Sequence, residues 1–209
     1  MRPLRNYAAF VVVATGLWFN ASTAQAAIII SFDVTPQGAP DASVDVALQI
    51  SGLVDLAAPS LGTFDLDISF DPAVLHPPTV VFGDPVLGDQ LDLFALGAIS
   101  LATPAPGAVN LFELSLDTVA DLNALQAGAF TLATLTFAPR STGTSFVNAS
   151  INALGDALGD PLDATVVPAT VTVDVTQVPE PHALVLLAAG LGAFAFRRRR
   201  YIAGLRSLA

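Results

Sequence analysis

The sequence predicts a mainly β fold, a two-sheet β-sandwich of about nine strands. Stretches in which apolar and polar side chains alternate recur along the central part of the chain, and short segments rich in Pro, Gly and Asp separate them. The 209 residues are 53% apolar and only 12% charged, a composition typical of a folded domain rather than a disordered chain. Many short strands, each with one polar face, favour two packed sheets.

Each predicted strand follows from its own pattern. In residues 112–117, apolar Phe112 and Leu114 alternate with polar side chains, so we expect Glu113 to face solvent. Residues 130–137 are apolar in both phases, which predicts a strand covered on both faces. One helix is predicted over 118–126, with Asp117 or Thr118 as its cap. The nine predicted strands are 28–34, 44–50, 64–70, 79–82, 95–101, 112–117, 130–137, 143–152 and 170–175.

Charge is distributed unevenly along the chain. Between Ala27 and Val178 there are 17 acidic residues and a single base, Arg140, so the formal charge of this segment is 1 − 17 = −16. Nucleic acids and anionic lipid headgroups would be repelled, since binding them requires Lys and Arg. Cations or a basic partner would be attracted.

The first 26 residues have the layout of a secretory signal peptide. A basic start precedes an apolar run, and small side chains then occupy the −3 and −1 positions of a cleavage site. These parts are Arg2 with Arg5, residues 8–19, and Ala24 with Ala26. A permanent N-terminal anchor is the alternative, although the run is short for a membrane span. We expect signal peptidase to remove residues 1–26, so that the mature chain starts at Ala27.

The C-terminal region predicts a short transmembrane helix over residues 183–196. Its 14 apolar residues would span about 21 Å, and snorkelling Arg side chains with local bilayer thinning would help it to cross. The positive-inside rule places the following Arg cluster and residues 201–209 in the cytoplasm, with the body outside. A buried helix with a solvated basic end is the alternative. The cluster comprises Arg197, Arg198, Arg199 and Arg200.

A proline-rich motif directly precedes this helix: Val178, Pro179, Glu180 and Pro181. The order of motif, apolar run and Arg cluster over residues 178–200 resembles the PEP-CTERM sorting signal of Gram-negative, exopolysaccharide-producing bacteria. The resemblance implies that an exosortase, a membrane protease-transpeptidase, processes the protein. It also implies delivery to the cell surface or the extracellular matrix of a biofilm.

Three segments of the body occur in an order that resembles a cohesin domain. They are residues 43–53, residues 61–75, which end in Asp-Pro-Ala-Val-Leu, and residues 128–139. The resemblance implies that residues 27–177 form a jelly-roll sandwich and that a dockerin-like protein is a possible partner. An extracellular polysaccharide is the other partner considered.

Little in the body suits catalysis. The chain has no Cys, and the mature body has one His, His76, in a proline-flanked segment that predicts a solvated loop. No G-x-S-x-G elbow accompanies it. Asp65 and Asp67 are a carboxylate pair of the kind that glycosidases use, but the alternation of a solvated strand explains them as well. We therefore predict a protein that is not an enzyme, with a hydrolase as the weaker alternative.

Two acidic loops share a pattern of Gly-Asp, Leu-Gly-Asp and Leu-Asp, at residues 83–92 and 155–163. Their carboxylates are hard oxygen donors of the type that Ca²⁺ takes, although neither loop matches an EF-hand. Ca²⁺ is accordingly the one cofactor considered, and solubilising acidic turns are the alternative. The candidate ligands are Asp84, Asp89, Asp92, Asp156, Asp160 and Asp163.

These observations together predict a noncatalytic exported protein that presents a cohesin-like binding sandwich. Before processing, the C-terminal helix would hold it in the membrane of a Gram-negative cell, N-out and C-in. A purely structural component of the exopolysaccharide matrix is the alternative from another functional class.

Overall fold

A computed structural model describes residues 26–176. The predicted signal peptide up to Gln25, the sorting signal at 178–200 and the tail at 201–209 lie outside the described residues. The elements are β1 (Ile28–Val34), β2 (Val44–Ser51), β3 (Leu61–Ser69), β4 (Thr79–Phe82), β5 (Ile99–Ala105), β6 (Ala108–Leu114), α1 (Val119–Leu125), β7 (Ala129–Phe137), β8 (Gly143–Asp156), β9 (Ala164–Val167) and β10 (Ala169–Val173).

The strands form two five-stranded sheets, which confirms the predicted sandwich. The first sheet has the order β4-β7-β2-β1-β9, and the second has the order β10-β8-β3-β6-β5. All pairings are antiparallel except that of β1 with β9. The chain crosses from the first sheet to the second at Pro168, between β9 and β10.

One hydrophobic core fills the space between the sheets. Alternation in β2 and β3 places every second side chain inside, as the sequence predicts, and aromatic rings from both sheets meet there. The Phe70 and Phe137 rings lie edge to face at 5.3 Å. All elements that enclose this core lie between Ile28 and Val173, so the domain completes its own core.

Strands β5, β6 and β9 differ most from the prediction, whereas the short edge strand β4 has the predicted bounds. Strand β6 covers Ala108–Leu114 rather than residues 112–117. Strand β5 begins at Ile99 rather than residue 95, because residues 95–98 belong to the preceding loop. Strand β9 was not predicted. It has only four residues and pairs with β1 alone, so its local pattern is weak.

The predicted orientation of β6 is wrong. Glu113 pairs with Phe64 and is fully buried, as are Val109 and Leu111, whereas Leu114 is exposed. Both phases of this strand contain apolar side chains, so alternation alone does not identify the inner face.

The prediction that β7 is covered on both faces is also wrong. A β-bulge at Leu132 interrupts its pairing with β2: Leu48 pairs with Ala133, and Gln49 pairs with Thr131. The bulge shifts the alternation by one residue, so apolar positions fall in both sequence phases although the strand has one buried face. Thr134 and Thr136 are only partly buried on the other face.

The one helix within residues 26–176 confirms the sequence prediction closely. It covers Val119–Leu125, and Thr118 is its N-cap, with Oγ1 accepting from the Asp121 N–H. Leu122 is its one buried residue. No helix within residues 26–176 is long and apolar enough to cross a membrane.

Candidate binding surface

The outer face of the second sheet is open and mixed in character. Cross-strand pairs place Ile99 with Leu114, and Leu101 with Phe112, on this face, where they form an apolar border along β5 and β6. Leu101 is 57% exposed. Apolar side chains of this size on a solvent-facing sheet are typical of a surface that meets a partner.

A polar cluster occupies the centre of the same face. The Asn110 Nδ2 group donates to Asp65 Oδ1 at 2.6 Å and to Asp67 Oδ1 at 2.9 Å. The Asn152 Nδ2 group donates to Asp65 Oδ1 at 3.1 Å and to Asp67 Oδ2 at 3.0 Å. Two amides from β6 and β8 therefore hold the two β3 carboxylates in fixed positions.

These hydrogen bonds also decide what the carboxylates can do. Hydrogen bonds from Asn152 and Asn110 lower the pKa of Asp67, so it stays ionised at neutral pH. A two-carboxylate glycosidase needs one acid with a raised pKa beside its partner. Asp67 is therefore better suited to accept hydrogen bonds from a bound partner than to donate a proton.

Strand β8 adds an aromatic group to this face. Phe146 is 60% exposed and pairs with Thr170 of β10 on the outer side of the sheet. The face therefore has apolar groups toward both borders and a fixed polar centre. This combination can bury apolar area against a partner while the polar centre sets its orientation.

The first acidic loop uses its leading carboxylate to form its own turn. Asp84 Oδ1 accepts from the Val86 and Leu87 N–H groups, both at 2.8 Å, and these bonds lower the pKa of Asp84. The Gly88 N–H donates to the Asp84 carbonyl, and Gly88 has a φ of +90° that suits glycine.

The second acidic loop forms the same kind of turn. Asp156 Oδ1 accepts from the Leu158 and Asp160 N–H groups at 2.8 and 2.9 Å, and Gly159 has a φ of +88°. The repeated pattern thus encodes a repeated turn. Within residues 26–176, no three His, Asp or Glu side chains are grouped closely enough to hold a metal ion.

Sequence reasoning missed Glu113, which is the one buried carboxyl group among residues 26–176. Glu113 Oε1 accepts from the Ser100 hydroxyl at 2.7 Å, and no described N–H or O–H group contacts Oε2. Burial, and then the negative charges of Asp89 and Asp92, raise the pKa of Glu113 to about 8. The structure thereby brings two of the candidate calcium ligands, Asp89 and Asp92, beside a carboxyl group that is protonated at neutral pH.

The other residues singled out in the sequence lie away from these clusters or outside the described residues. His76 is exposed, as predicted, and its backbone N–H donates to the Ala138 carbonyl. Asp163 is exposed in the loop before β9. Ala26 and Ala27, at the expected cleavage site, are exposed. Ala24 and all sorting-signal residues lie outside the described residues.

Comparison with known families decides the nature of the C-terminal segment. Residues 177–200 match the PEP-CTERM protein-sorting motif. The chain carries a PEP-CTERM sorting signal. The match includes the proline-rich motif, the apolar run and the Arg cluster, in agreement with the sequence analysis. No curated protein matches the chain.

Comparison with solved structures confirms a cohesin-like fold for the domain before the PEP-CTERM signal. The sixth cohesin of Acetivibrio cellulolyticus scaffoldin B, solved with a Cel5 dockerin, is 19% identical, with a TM-score of 0.54 over 71% of this chain and 99% of the cohesin. A type II cohesin from the cellulosome of the same organism is 18% identical, with a TM-score of 0.54 over 73% and 99%.

A third similar structure comes from outside cellulosomes. The non-cellulosomal cohesin of the archaeon Archaeoglobus fulgidus is 17% identical, with a TM-score of 0.51 over 73% of this chain and 94% of that one. At 17–19% identity, these similarities establish a shared fold.

Proposed function

We propose that this chain is a noncatalytic protein that is exported, sorted by an exosortase-type system, and used at the cell surface or in the extracellular matrix as a binding module. The PEP-CTERM signal supports the sorting step. The cohesin-like sandwich supports the binding role. The outer face of the second sheet is the proposed binding site.

A contrast between the two outer faces carries the proposal. On the first sheet, hydrogen-bonding side chains such as Asp45, Gln49 and Thr136 cover the central strands, and the Thr136 hydroxyl donates to Asp45 at 2.6 Å. On the second sheet, the apolar border and Phe146 accompany the fixed Asp–Asn cluster. The second face combines larger exposed apolar groups, Leu101 and Phe146, with a cluster of four side chains held in fixed positions.

The partner that we propose is a dockerin-like protein. One of the similar cohesins was solved in a complex with a dockerin, and so was a further cohesin, from Clostridium thermocellum, with a TM-score of 0.54. A flat sheet face with a polar centre suits a protein surface. An extracellular polysaccharide is the other partner that this face could accept.

The proposed route divides the chain into four parts. Signal peptidase removes residues 1–26, and residues 27–177 fold outside the cytoplasm. Residues 178–200 hold the protein in the membrane through the helix at 183–196, N-out and C-in, until the exosortase acts. Residues 201–209 form a short cytoplasmic tail.

A binding experiment tests the proposed face. The domain, residues 27–177, is immobilised and exposed to envelope and matrix extract of the source organism, and any retained protein or polysaccharide is purified and titrated back. The double variant Leu101→Ser with Phe146→Ser should weaken that binding at least about tenfold, or about 1.4 kcal/mol.

Matched variants on the first sheet supply the control. Val81 is 53% exposed and Val167 is 48% exposed, so Val81→Ser with Val167→Ser removes two exposed apolar side chains from the other sheet. Equal loss in both double variants would contradict the proposed face. Retention of nothing by the folded domain would favour a structural matrix component instead.

A further inference from the structure

A second surface lies at one end of the sandwich and is distinct from the binding face. We define the loop end as residues 52–60, 83–98, 115–128 and 157–163. These segments connect β2 to β3, β4 to β5, β6 to β7, and β8 to β9. Because the strands at these connections are antiparallel neighbours or face each other across the core, all four segments meet at the same end of the domain.

Hydrogen bonds tie the four loops together. The buried Gln126 side chain accepts from the Leu61 N–H at 2.6 Å and donates to the Leu61 and Gln90 carbonyls. The Leu93 N–H donates to Asp117, and the Ala157 N–H donates to the Ser60 carbonyl. The loop end is therefore a fixed surface, and a partner would lose little free energy in ordering it.

Large apolar side chains project from this fixed surface. The most exposed are Val86, Leu87, Leu96 and Leu158, and the least exposed of these four, Leu158, is still 72% exposed. They come from two different loops, and Phe94 of the first loop adds an exposed ring. Four of these five side chains lie in the first loop, and exposed apolar groups concentrated in this way are typical of an interaction site.

The same loops hold much of the negative charge. Together they contain eight Asp and no Lys or Arg, a formal charge of −8. The connections at the opposite end contain Asp41, Asp71, Asp174 and Arg140, a formal charge of 1 − 3 = −2. Anionic lipids and polyanions are repelled from the loop end, whereas a basic segment is attracted.

The last described residues of the chain lie at the end of the domain opposite the loop end. Strand β10 ends at Val173, which pairs with Gly143 at the start of β8. Beyond it, the Thr176 N–H donates to Asp41 in the β1–β2 loop. The loop end is therefore separate from residues 174–176, the last that the structure describes.

We propose that the loop end is a docking surface for a basic, apolar-rich segment of another protein. The apolar side chains supply area to bury, and the eight carboxylates select positive charge and exclude anionic surfaces. The ties through Gln126 keep both features in place. This site does not depend on the outer face of the second sheet, and the two can be lost separately.

Peptide titration of the domain, residues 27–177, tests the proposal. The probe is a short amphipathic peptide of Lys and Leu, compared with a Lys and Ser peptide of equal charge and a Glu and Leu peptide of equal apolarity. Of the three peptides, we expect only the Lys and Leu peptide to bind measurably, and added salt should weaken this binding. The variant Leu87→Ser with Leu96→Ser and Leu158→Ser should weaken binding at least tenfold, and circular dichroism should show an unchanged fold.

Charge variants provide a matched pair. Asp160→Asn with Asp163→Asn removes two charges from the loop end, where neither carboxylate accepts a hydrogen bond among the described residues. Asp33→Asn with Asp174→Asn removes two charges elsewhere. Only the first pair should weaken binding, by about threefold to tenfold.

Several results would overturn the proposal. Equal binding of the Lys and Ser peptide would show that the apolar groups make no contribution. Equal effects of the two charge pairs would show a nonspecific attraction to the whole domain. Concentration-dependent dimers that the triple Ser variant abolishes would assign the surface to a second copy, and displacement of the peptide by millimolar Ca²⁺ would assign it to a cation.

Discussion

At the scale of single residues, Glu113 shows how a fold changes the chemistry of a carboxyl group. The side chain lies between β5 and β3, with one oxygen bonded to Ser100 and the other facing the acidic loop that contains Asp89 and Asp92. Burial disfavours the ionised form, and the neighbouring charges act in the same direction. Asp89 lies within hydrogen-bonding reach of Glu113. When Glu113 is protonated, its carboxyl group can donate to Asp89, whereas the ionised carboxylate leaves Oε2 without a partner.

The first prediction concerns the pH dependence of stability. The pKa of Glu113 is raised from 4.5 to about 8 in the folded protein, so the folded state binds a proton that the unfolded chain has lost. Stability should therefore fall as the pH rises from about 4.5 to about 8, by up to about 1.4 kcal/mol per pH unit from this group. Glu113→Gln keeps the shape and stays neutral, so it should flatten this slope and raise the melting temperature at pH 8.

Urea unfolding at several pH values measures this effect. Asp163→Asn is the control, because it makes the same carboxyl-to-amide substitution at an exposed position. A Glu113→Gln variant that is less stable than the wild type at pH 8 would contradict a protonated Glu113.

At the scale of elements, two strands illustrate what alternation can and cannot establish. Strand β2 and the part of β3 from Phe64 onward have large apolar residues in one phase only, so their inner faces are evident. Strand β6 has apolar residues in both phases, and β7 contains a bulge at Leu132. In these two strands the pairing partner, rather than the local pattern, determines which side chains enter the core.

The second prediction concerns the repeated acidic turn. Asp156→Ala removes the acceptor of two backbone N–H groups and should lower the free energy of unfolding by about 1 kcal/mol. Asp163→Ala, in the same loop, should change it by less than half of that. Thermal unfolding in millimolar Ca²⁺ and in chelator checks both variants.

Comparing thermal unfolding in Ca²⁺ with unfolding in chelator also tests the calcium hypothesis for this loop. A turn-forming carboxylate predicts the same loss of stability in Ca²⁺ and in chelator. A calcium site predicts that the wild type melts at a higher temperature in Ca²⁺ and that Asp156→Ala abolishes the difference.

At the scale of the whole molecule, the two ends of the domain differ in character. The chain leaves β10 at one end toward the PEP-CTERM signal, and the acidic, apolar loops lie at the other. A protein held by its C-terminal segment would keep these loops away from an anionic membrane, because like charges repel.

The third prediction concerns sorting. Replacing Pro179, Glu180 and Pro181 together with Ala should leave an unprocessed, membrane-bound chain, since the residues that the exosortase is proposed to recognise are lost. Cell fractionation with immunoblotting of the source organism measures the shift in size and location. The domain should unfold at an unchanged temperature, because its core ends at Val173.

Downstream substitutions serve as the control for this prediction. Tyr201→Ala with Ile202→Ala and Leu205→Ala lies beyond the matched residues 177–200 and should be processed normally. Normal processing of the Pro-Glu-Pro variant as well would contradict recognition through that motif.

The sequence alone determined the class of fold and the presence of a sorting signal. Both are written in contiguous residues: strands appear as alternation in seven to nine neighbours, and the sorting signal lies within 177–200. The predicted cap at Thr118 is local for the same reason.

Only the tertiary structure decided which side chains act together. Asn110 and Asn152 reach Asp65 from positions 45 and 87 residues away, and the burial of Glu113 depends on the register between β6 and β3. Register is set by pairing between distant strands, and a shift of one residue would turn each of these groups to the opposite face. The proposed binding face and the loop end therefore depend on strand pairing, which the local sequence pattern does not specify.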